Sequence, residues 1–532
     1  MSQVVVREDV QRASPFKPIS RVPSELLCEI FTQFIPRRPE DNFRLTLTHV
    51  CRLWRTVAIG LQSLWTFPDF RTPELAREML IRSGRAPLHI QFLHTHFRLA
   101  PGMDLEQYKL AQMDILSQAL SDSFRLESVH LDVPSVWLRS VLTTLIQPAP
   151  LLHSLNLGSD RCVIPLNFLS DDAPRLTRLI IDGCEFPYNS PLLRNLTSLK
   201  LSGGYETTFE ERLHEALRLM PALEYLGLAE VECDTPDEEV IATLPRLRQL
   251  DLEGTQLSCS SILNHISFPA TASVQITIEG ADLPEEDLED LDTFWRDIAR
   301  ILSPEFYKGQ QRVIKTLSAD GNDDIDGSSL TLKAWHTTLP FDFSLDDHPR
   351  NSPNLSVTID WSDCDYVYDS TDSPFFDNVF KAAFRALHLP ALETMQIGSF
   401  PHDDHEFLTI VLVHAFMPRL WSVPLRTLVV NGCVDYLPRL LTWYERGRPL
   451  PALETLVLTS IDLNEELVED LYDCLECRSE EGLQLQKLIV RESGSWSGMG
   501  KLREVVGEVD FDTASDISTD GESTDGSAVE DS

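Results

Sequence analysis

Leu244-Pro245-Arg246-Leu247-Arg248-Gln249-Leu250-Asp251-Leu252 carries aliphatic side chains at i, i+3 and i+5, counted from Leu247, with a proline two residues ahead of the first. The same spacing occurs at Leu126/Val129/Leu131, Leu152/Leu155/Leu157, Leu176/Leu179/Ile181, Leu196/Leu199/Leu201 and Leu223/Leu226/Leu228. It returns at Leu392/Met395/Ile397, Leu425/Leu428/Val430, Leu453/Leu456/Leu458 and Leu485/Leu488/Val490. With roughly a third of residues aliphatic, the triple alone recurs by chance about a dozen times in such a chain. The proline decides the matter. It precedes six of these units, as Pro150, Pro174, Pro221, Pro245, Pro390 and Pro451, where coincidence gives roughly one. Proline cannot continue a helix and biases the residue before it to extended geometry, so each unit is expected to read helix, stop, short strand.

Successive units start 26, 24, 20, 27 and 24 residues apart in the first block and 33, 28 and 32 apart in the second. These periods overlap and somewhat exceed those of leucine-rich repeats, whose ninth position favours Asn or Cys. Cys184 and Cys433 fall on that position, whereas Asp160, Thr255 and Ser493 occupy it in other units. The predicted fold class is therefore an α/β repeat, a degenerate leucine-rich-repeat solenoid over residues 126–506. Between Leu252 and Leu392 the pattern frays into strand-like stretches at 274–278, 313–317, 330–335 and 355–361, with one amphipathic helix marked by Leu288, Leu291, Trp295, Ile298 and Leu302. Longer, irregular repeats and a separate inserted domain both fit that region.

Residues 19–34, ISRVPSELLCEIFTQF, set Leu26, Leu27, Ile30, Phe31 and Phe34 at helical spacing, with Pro23 at a position where a missing N–H costs a helix nothing. A second stretch, LTLTHVCRLWRTVAIGLQSLW, sets Leu47, Val50, Cys51, Trp54 and Val57 on one face. Two or three helices in about fifty residues bury little against themselves, so another chain or the first repeat must cover some of these side chains. Val22-Pro23-Ser24-Glu25-Leu26-Leu27-x-x-Ile30-Phe31, then Val50-Cys51-Arg52-x-Trp54-Arg55, then Ser63-Leu64-Trp65 closely resembles the F-box motif in order, type and spacing. Val22 stands where Leu is commoner, and the loop between the helices is long.

The resemblance covers residues 17–67 and implies a small all-α module ahead of the repeats. It further implies docking on a Skp-type adaptor and through it a cullin, with Pro23, Leu26, Leu27, Ile30, Val50, Cys51, Trp54 and Trp65 at that interface. The repeats would then recruit a protein substrate for ubiquitylation; action on the adaptor outside any ligase is the alternative. Residues 68–125 would be the junction and capping repeat. Val429, Val457 and Ile489 share one strand position in three successive late units and should form an apolar ridge on the concave face. Such a ridge is a candidate substrate site unless a loop or the C-terminus covers it.

Of the 532 residues, 83 are acidic and 45 basic, a formal net charge of −38. A field of that sign repels phosphates and anionic headgroups, and no basic run offsets it, so neither nucleic acid nor membrane is an expected partner. Arg7, Glu8 and Asp9 interrupt the opening valines, no apolar run reaches the ~20 residues that span a bilayer, and the cysteines are scattered, so a cytoplasmic or nuclear, thiol-reduced chain is expected. No cofactor, metal or catalytic role is expected either. Asp320–Asp326 has Ile325 where a calcium loop needs Gly, Cys474 and Cys477 lack a second ligand pair, and His402, His405 and Glu406 form an acidic loop. Residues 1–16 read as a polar leader. Residues 507–532, with nine acidic and no basic side chains, read as a disordered tail. Within it Thr513, Thr519 and Ser527 each precede an acidic residue by three, a spacing that suits acidophilic kinases, although a merely solubilising tail is the plainer reading.

Overall fold

A computed structural model describes residues 22–33, 43–94, 105–203, 210–230, 241–278, 288–301, 313–324, 327–339, 352–360, 389–398, 423–432, 450–460, 465–493 and 499–513, with a few single positions besides. The chain divides into two compact units, 1–196 and 197–532. Both are mixed α/β, built on mostly parallel sheet.

In the first unit, α1 (Ser24–Thr32), α2 (Phe43–Val50) and α3 (Arg52–Gly60) precede a 3-10 turn at Gln62–Trp65 and α4 (Pro73–Ser83). Pro23 flanks α1 rather than opening it, and its carbonyl accepts from the Leu27 N–H at 3.1 Å. Cys51 separates α2 from α3 in extended geometry, and its Sγ accepts from the Trp54 N–H at 3.5 Å. Leu27, Phe31, Leu47, Val57, Ala58, Leu64, Trp65 and Met79 form one buried cluster, with Trp54 packed on its margin. The Trp65 indole donates to the Ala58 carbonyl at 2.9 Å, which ties the 3-10 turn to α3.

Four parallel strands follow, β1 (Leu88–Leu93), β2 (Leu126–Asp132), β3 (Ser154–Val163) and β4 (Arg178–Glu185), with α5 (Leu105–Ser121) and α6 (Ser135–Leu142) between the first three. The middle aliphatic positions stack in register, Val129 on Leu155 on Leu179. β3 bulges after Gly158, so that Cys162 rather than Asp160 comes opposite Cys184.

The second unit contains β5 (Ser198–Ser202), β6 (Tyr225–Ala229), β7 (Ala242–Thr243), β8 (Gln249–Gly254), β9 (Ile266–Ser267) and β10 (Ser273–Ile278), with α7 (Glu210–Arg218) and α8 (Gln256–His265). After α9 (Leu288–Ile301) come β11 (Thr316–Asp324), β12 (Gly327–Trp335), β13 (Leu355–Asp360), β14 (Thr394–Ile397), β15 (Thr427–Asn431) and β16 (Thr455–Thr459). Then follow α10 (Glu465–Glu480), β17 (Lys487–Ser493), α11 (Met499–Val505) and β18 (Glu508–Thr513). β7 and β9 form a separate two-stranded pair.

All thirty aliphatic side chains of the ten units are buried, and Met395, Leu428, Leu456, Leu488 and Val509 stack across five adjacent strands. The six prolines do more than stop helices. Each is the second residue of a four-residue turn, closed for example by the Leu152 N–H on the Ala149 carbonyl at 3.1 Å and by Leu247 on Leu244 at 3.2 Å. Proline's fixed φ suits that turn position. The turn repeats at Leu176, Leu223, Leu392 and Leu453. Helix content between strands varies: α7 leads into Pro221, while only a 3-10 turn at Phe168–Asp171 precedes Pro174.

The central region is neither a run of parallel repeats nor a sheet of its own. β11 and β12 form an antiparallel hairpin and β12 pairs antiparallel with β13, while β13 pairs parallel with β10 and β11 parallel with β14. The seam thus runs β10, β13, β12, β11, β14, against chain order. The C-terminal boundary also moves. Glu508–Thr513 pairs parallel with β17, so the first part of the expected tail belongs to the sheet. Val509 and Phe511, both half-buried, supply the apolar alternation that the surrounding carboxylates hide in the sequence. No helix among the described residues is long and apolar enough to cross a membrane.

Candidate partner-docking surfaces

The helical segment buries Phe31 and Trp65 with several aliphatic side chains and leaves other large apolar groups exposed. Leu26, Ile30 and Val50 are 50%, 45% and 51% exposed, and Phe43, Leu53 and Ile59 are exposed as well. Six of the sixteen exposed large apolar side chains among the described residues therefore come from residues 24–60, an unusual density for a segment of that length. Helical spacing explains the split on α1. Leu27 and Phe31 lie one turn apart on its inner side, and Leu26 and Ile30 one turn apart on the neighbouring side.

The predicted interface residues accordingly separate into two groups. Pro23, Leu26, Ile30, Val50 and Cys51 are exposed and available to a partner. Leu27 and Trp65 lie in the interior, and Trp54 is half-buried, so these three shape the surface from behind. The Trp54 Nε1–H is shielded and has no hydrogen-bond partner among the described residues. Phe43, Leu53 and Ile59 went unrecognised in the sequence because Phe43 and Ile59 fall outside the motif blocks and Leu53 is the unspecified position of the second; their presence in a segment too small to bury every apolar group was the available signal. Between Phe43 and Pro68 there are three arginines and no acidic residue, and two of the three, Arg52 and Arg55, are exposed beside Val50 and Leu53. In a chain of net charge −38 that is a local reversal of sign.

The ridge predicted at Val429, Val457 and Ile489 forms in register, as expected, but it is not open to a partner. The three side chains are 6%, 1% and 1% exposed and make a small cluster of their own. Three aliphatic groups side by side on a sheet face gain about 1.5–3 kcal/mol each from cover, and here the chain itself supplies that cover. The substrate site expected there is therefore withdrawn. On the same sheet face Thr316, Ser318, Ser356 and Thr394 are buried too.

The sector of β5, β6, β8 and β10 differs. Lys200, Gly227, Asp251 and Gln275 share one row across it, and Lys200, Gln249, Glu253 and Gln275 are exposed. Gln249 Nε2 donates to both carboxylate oxygens of Asp251 at 3.0 Å. Burial, reinforced by the Asp251 carboxylate, pushes the Tyr225 phenol up to about 12, so it stays a neutral donor at all physiological pH. Residues 1–196 hold 21 basic and 20 acidic side chains, and residues 197–532 hold 24 and 63. The second unit therefore carries essentially all of the excess negative charge, and its field favours basic partners.

Cys474 is buried and Cys477 exposed on α10, Asp320–Asp324 lies on the β11–β12 hairpin, and His402, His405, Glu406, Cys433, Thr519 and Ser527 lie outside the described residues. No protein-family model matches the chain, and no curated protein matches it.

Proposed function

We propose that the chain is a substrate-receptor subunit of a Skp–cullin–F-box type ubiquitin ligase, with the helices of residues 22–60 docking on the adaptor and the strand-rich remainder reading a protein substrate. The exposed trio Leu26, Ile30 and Val50 carries this reading, because those large apolar side chains stay uncovered while Leu27, Phe31, Leu64 and Trp65 of the same motif pack inward. Covering three such groups, with Leu53 and Ile59 beside them, contributes on the order of 5–10 kcal/mol before association costs. Arg52 and Arg55 favour an adaptor with carboxylates around its apolar groove. The aliphatic triples, buried in all ten units, and the Pro-turns that precede six of them support reading the sheet as degenerate leucine-rich repeats interrupted by the antiparallel strands β11 to β13.

On this reading substrate contacts fall on the open polar sector around Lys200, Gln249, Asp251 and Gln275, and a basic segment suits the charge of the second unit. Co-purification of the full chain with a Skp-type adaptor and a cullin tests the proposal. Recovery of both supports a ligase subunit. Recovery of the adaptor without cullin points to action outside a ligase, and recovery of neither removes the adaptor role.

A further inference from the structure

We propose that Cys162 and Cys184 are a peroxide-reactive thiol pair that closes to a reversible disulfide between β3 and β4. The bulge after Gly158 brings the two residues directly opposite each other on adjacent parallel strands. Neighbouring strands lie about 4.8 Å apart, inside the Cα separation of about 4.4–6.8 Å that a disulfide spans. Both thiols are buried, Cys162 between exposed Arg161 and Val163 and Cys184 beside exposed Glu185, so they point to the same inner face.

The backbone is built to hold that register. Arg161 sits at φ 68° and Gly183 at φ 60°, and a side chain at 183 would collide with the Ser159 carbonyl. Left-handed geometry is uncommon at a non-glycine residue, so the bulge is a specified feature. Arg139 reaches over from α6 and donates to the Arg161 carbonyl at 3.3 Å, which sets its guanidinium beside Cys162. The pair is also electronically unequal. A hydrogen bond from the Cys184 thiol, helped by the Arg139 charge, draws the Cys162 thiol down to about 7, while donating that bond and being buried push Cys184 up. One sulfur is thus an attacking thiolate for much of the time at neutral pH, and the other is a protonated resolving thiol.

The chemistry balances with hydrogen peroxide as oxidant. The Cys162 thiolate attacks one peroxide oxygen, the O–O bond breaks, and the leaving hydroxide takes up a proton to depart as water, leaving a sulfenic acid. The Cys184 sulfur then attacks the Cys162 sulfur, the S–S bond forms, and the second oxygen leaves as water with the Cys184 proton. Two thiols are oxidised and one peroxide is reduced to two waters.

Titration of the full chain with hydrogen peroxide, followed by non-reducing digestion and mass spectrometry, tests the pair. The expected product is a Cys162–Cys184 linked peptide, lighter by two hydrogens, that dithiothreitol reverses. It should form at lower peroxide than oxidation of the exposed Cys51 or Cys477 requires. Cys184→Ser should leave a sulfenic acid on Cys162 that dimedone labels, and Cys162→Ser should leave Cys184 unlabelled. Reduced Cys162 and Cys184 in a folded wild-type chain whose Cys51 and Cys477 are already oxidised would overturn the proposal, and that measurement stands even where a variant does not fold.

Discussion

Phe31 of α1 meets Trp54 of α3 edge to face, with ring centroids 5.0 Å apart and planes at 65°. This contact joins α1, which exposes Ile30, to α3, which begins two residues after the exposed Val50 that ends α2. It also decides how the adaptor reading must be probed, because Trp54 is part of the packing that presents the surface.

Ile30→Asp and Val50→Asp are expected to abolish adaptor binding while changing stability by no more than about 0.5 kcal/mol, as exposed substitutions do. Trp54→Ala should lose binding and about 2–3 kcal/mol of stability together, somewhat below the cost of deleting a fully buried aromatic. Parallel thermal melts and titrations with the adaptor separate the cases. Full binding by both aspartate variants would end the adaptor proposal.

Leu456 lies between Leu428 and Leu488 in the stacked aliphatic row. Leu456→Ala should cost about 2–5 kcal/mol, the range for a fully buried leucine. Val457→Asp, next to it on the opposite face, should be at least as harmful, because it places a charge among Val429 and Ile489. Urea midpoints measure both. A soluble, stable Val457→Asp chain would show that the ridge opens readily.

These two faces mark what the sequence could and could not convey. The inward positions were legible at every one of the ten units from the i, i+3 and i+5 spacing, and in six of them a Pro-turn also marked where the unit begins. The direction of β12 was not, because alternation with a period of two reads the same along either strand polarity. Burial of Val429, Val457 and Ile489 was equally hidden: a sequence shows which face a residue takes on a strand, but not what lies over that face. The bulge in β3 escaped because it depends on backbone conformation at Arg161 and Gly183 rather than on residue type alone. On α1 the helical spacing was legible, but it did not convey that Leu27 packs inward while Leu26 and Ile30 stay exposed.

His214 of α7 is buried, neither ring nitrogen has a hydrogen-bond partner among the described residues, and its ring centroid lies 4.9 Å from that of His265. Burial, then the neighbouring His265, lowers it to about 4. The unfolded chain therefore takes up this proton first. Its contribution is constant above about pH 6.5 and turns destabilising as pH falls from there toward 4, by at most about 1.4 kcal/mol per pH unit. Chemical denaturation of wild type and His214→Phe between pH 7 and pH 4 should show the shallower slope in the variant. Equal slopes would mean that His214 is protonated in the folded chain.

Two truncations distinguish the sheet from the tail that follows it. Removing residues 514–532 deletes six acidic and no basic side chains but leaves β18 in place, so the melting temperature should hold. Removing residues 507–532 strips β18 as well. It exposes the backbone edge of β17, breaks the Lys487–Glu508 ion pair at 2.8 Å, and uncovers Leu488 and Val490 on the inner side, so lower stability and concentration-dependent association are expected. The ion pair itself is exposed and contributes little, so Glu508→Gln in the full chain should melt like wild type. If residues 514–532 also regulate, their removal should change substrate affinity at low salt, and the change should fade as the Debye length shrinks from about 30 Å at 0.01 M to about 8 Å at 0.15 M. Equal affinities with and without them at both ionic strengths would leave the segment with a solubilising role alone.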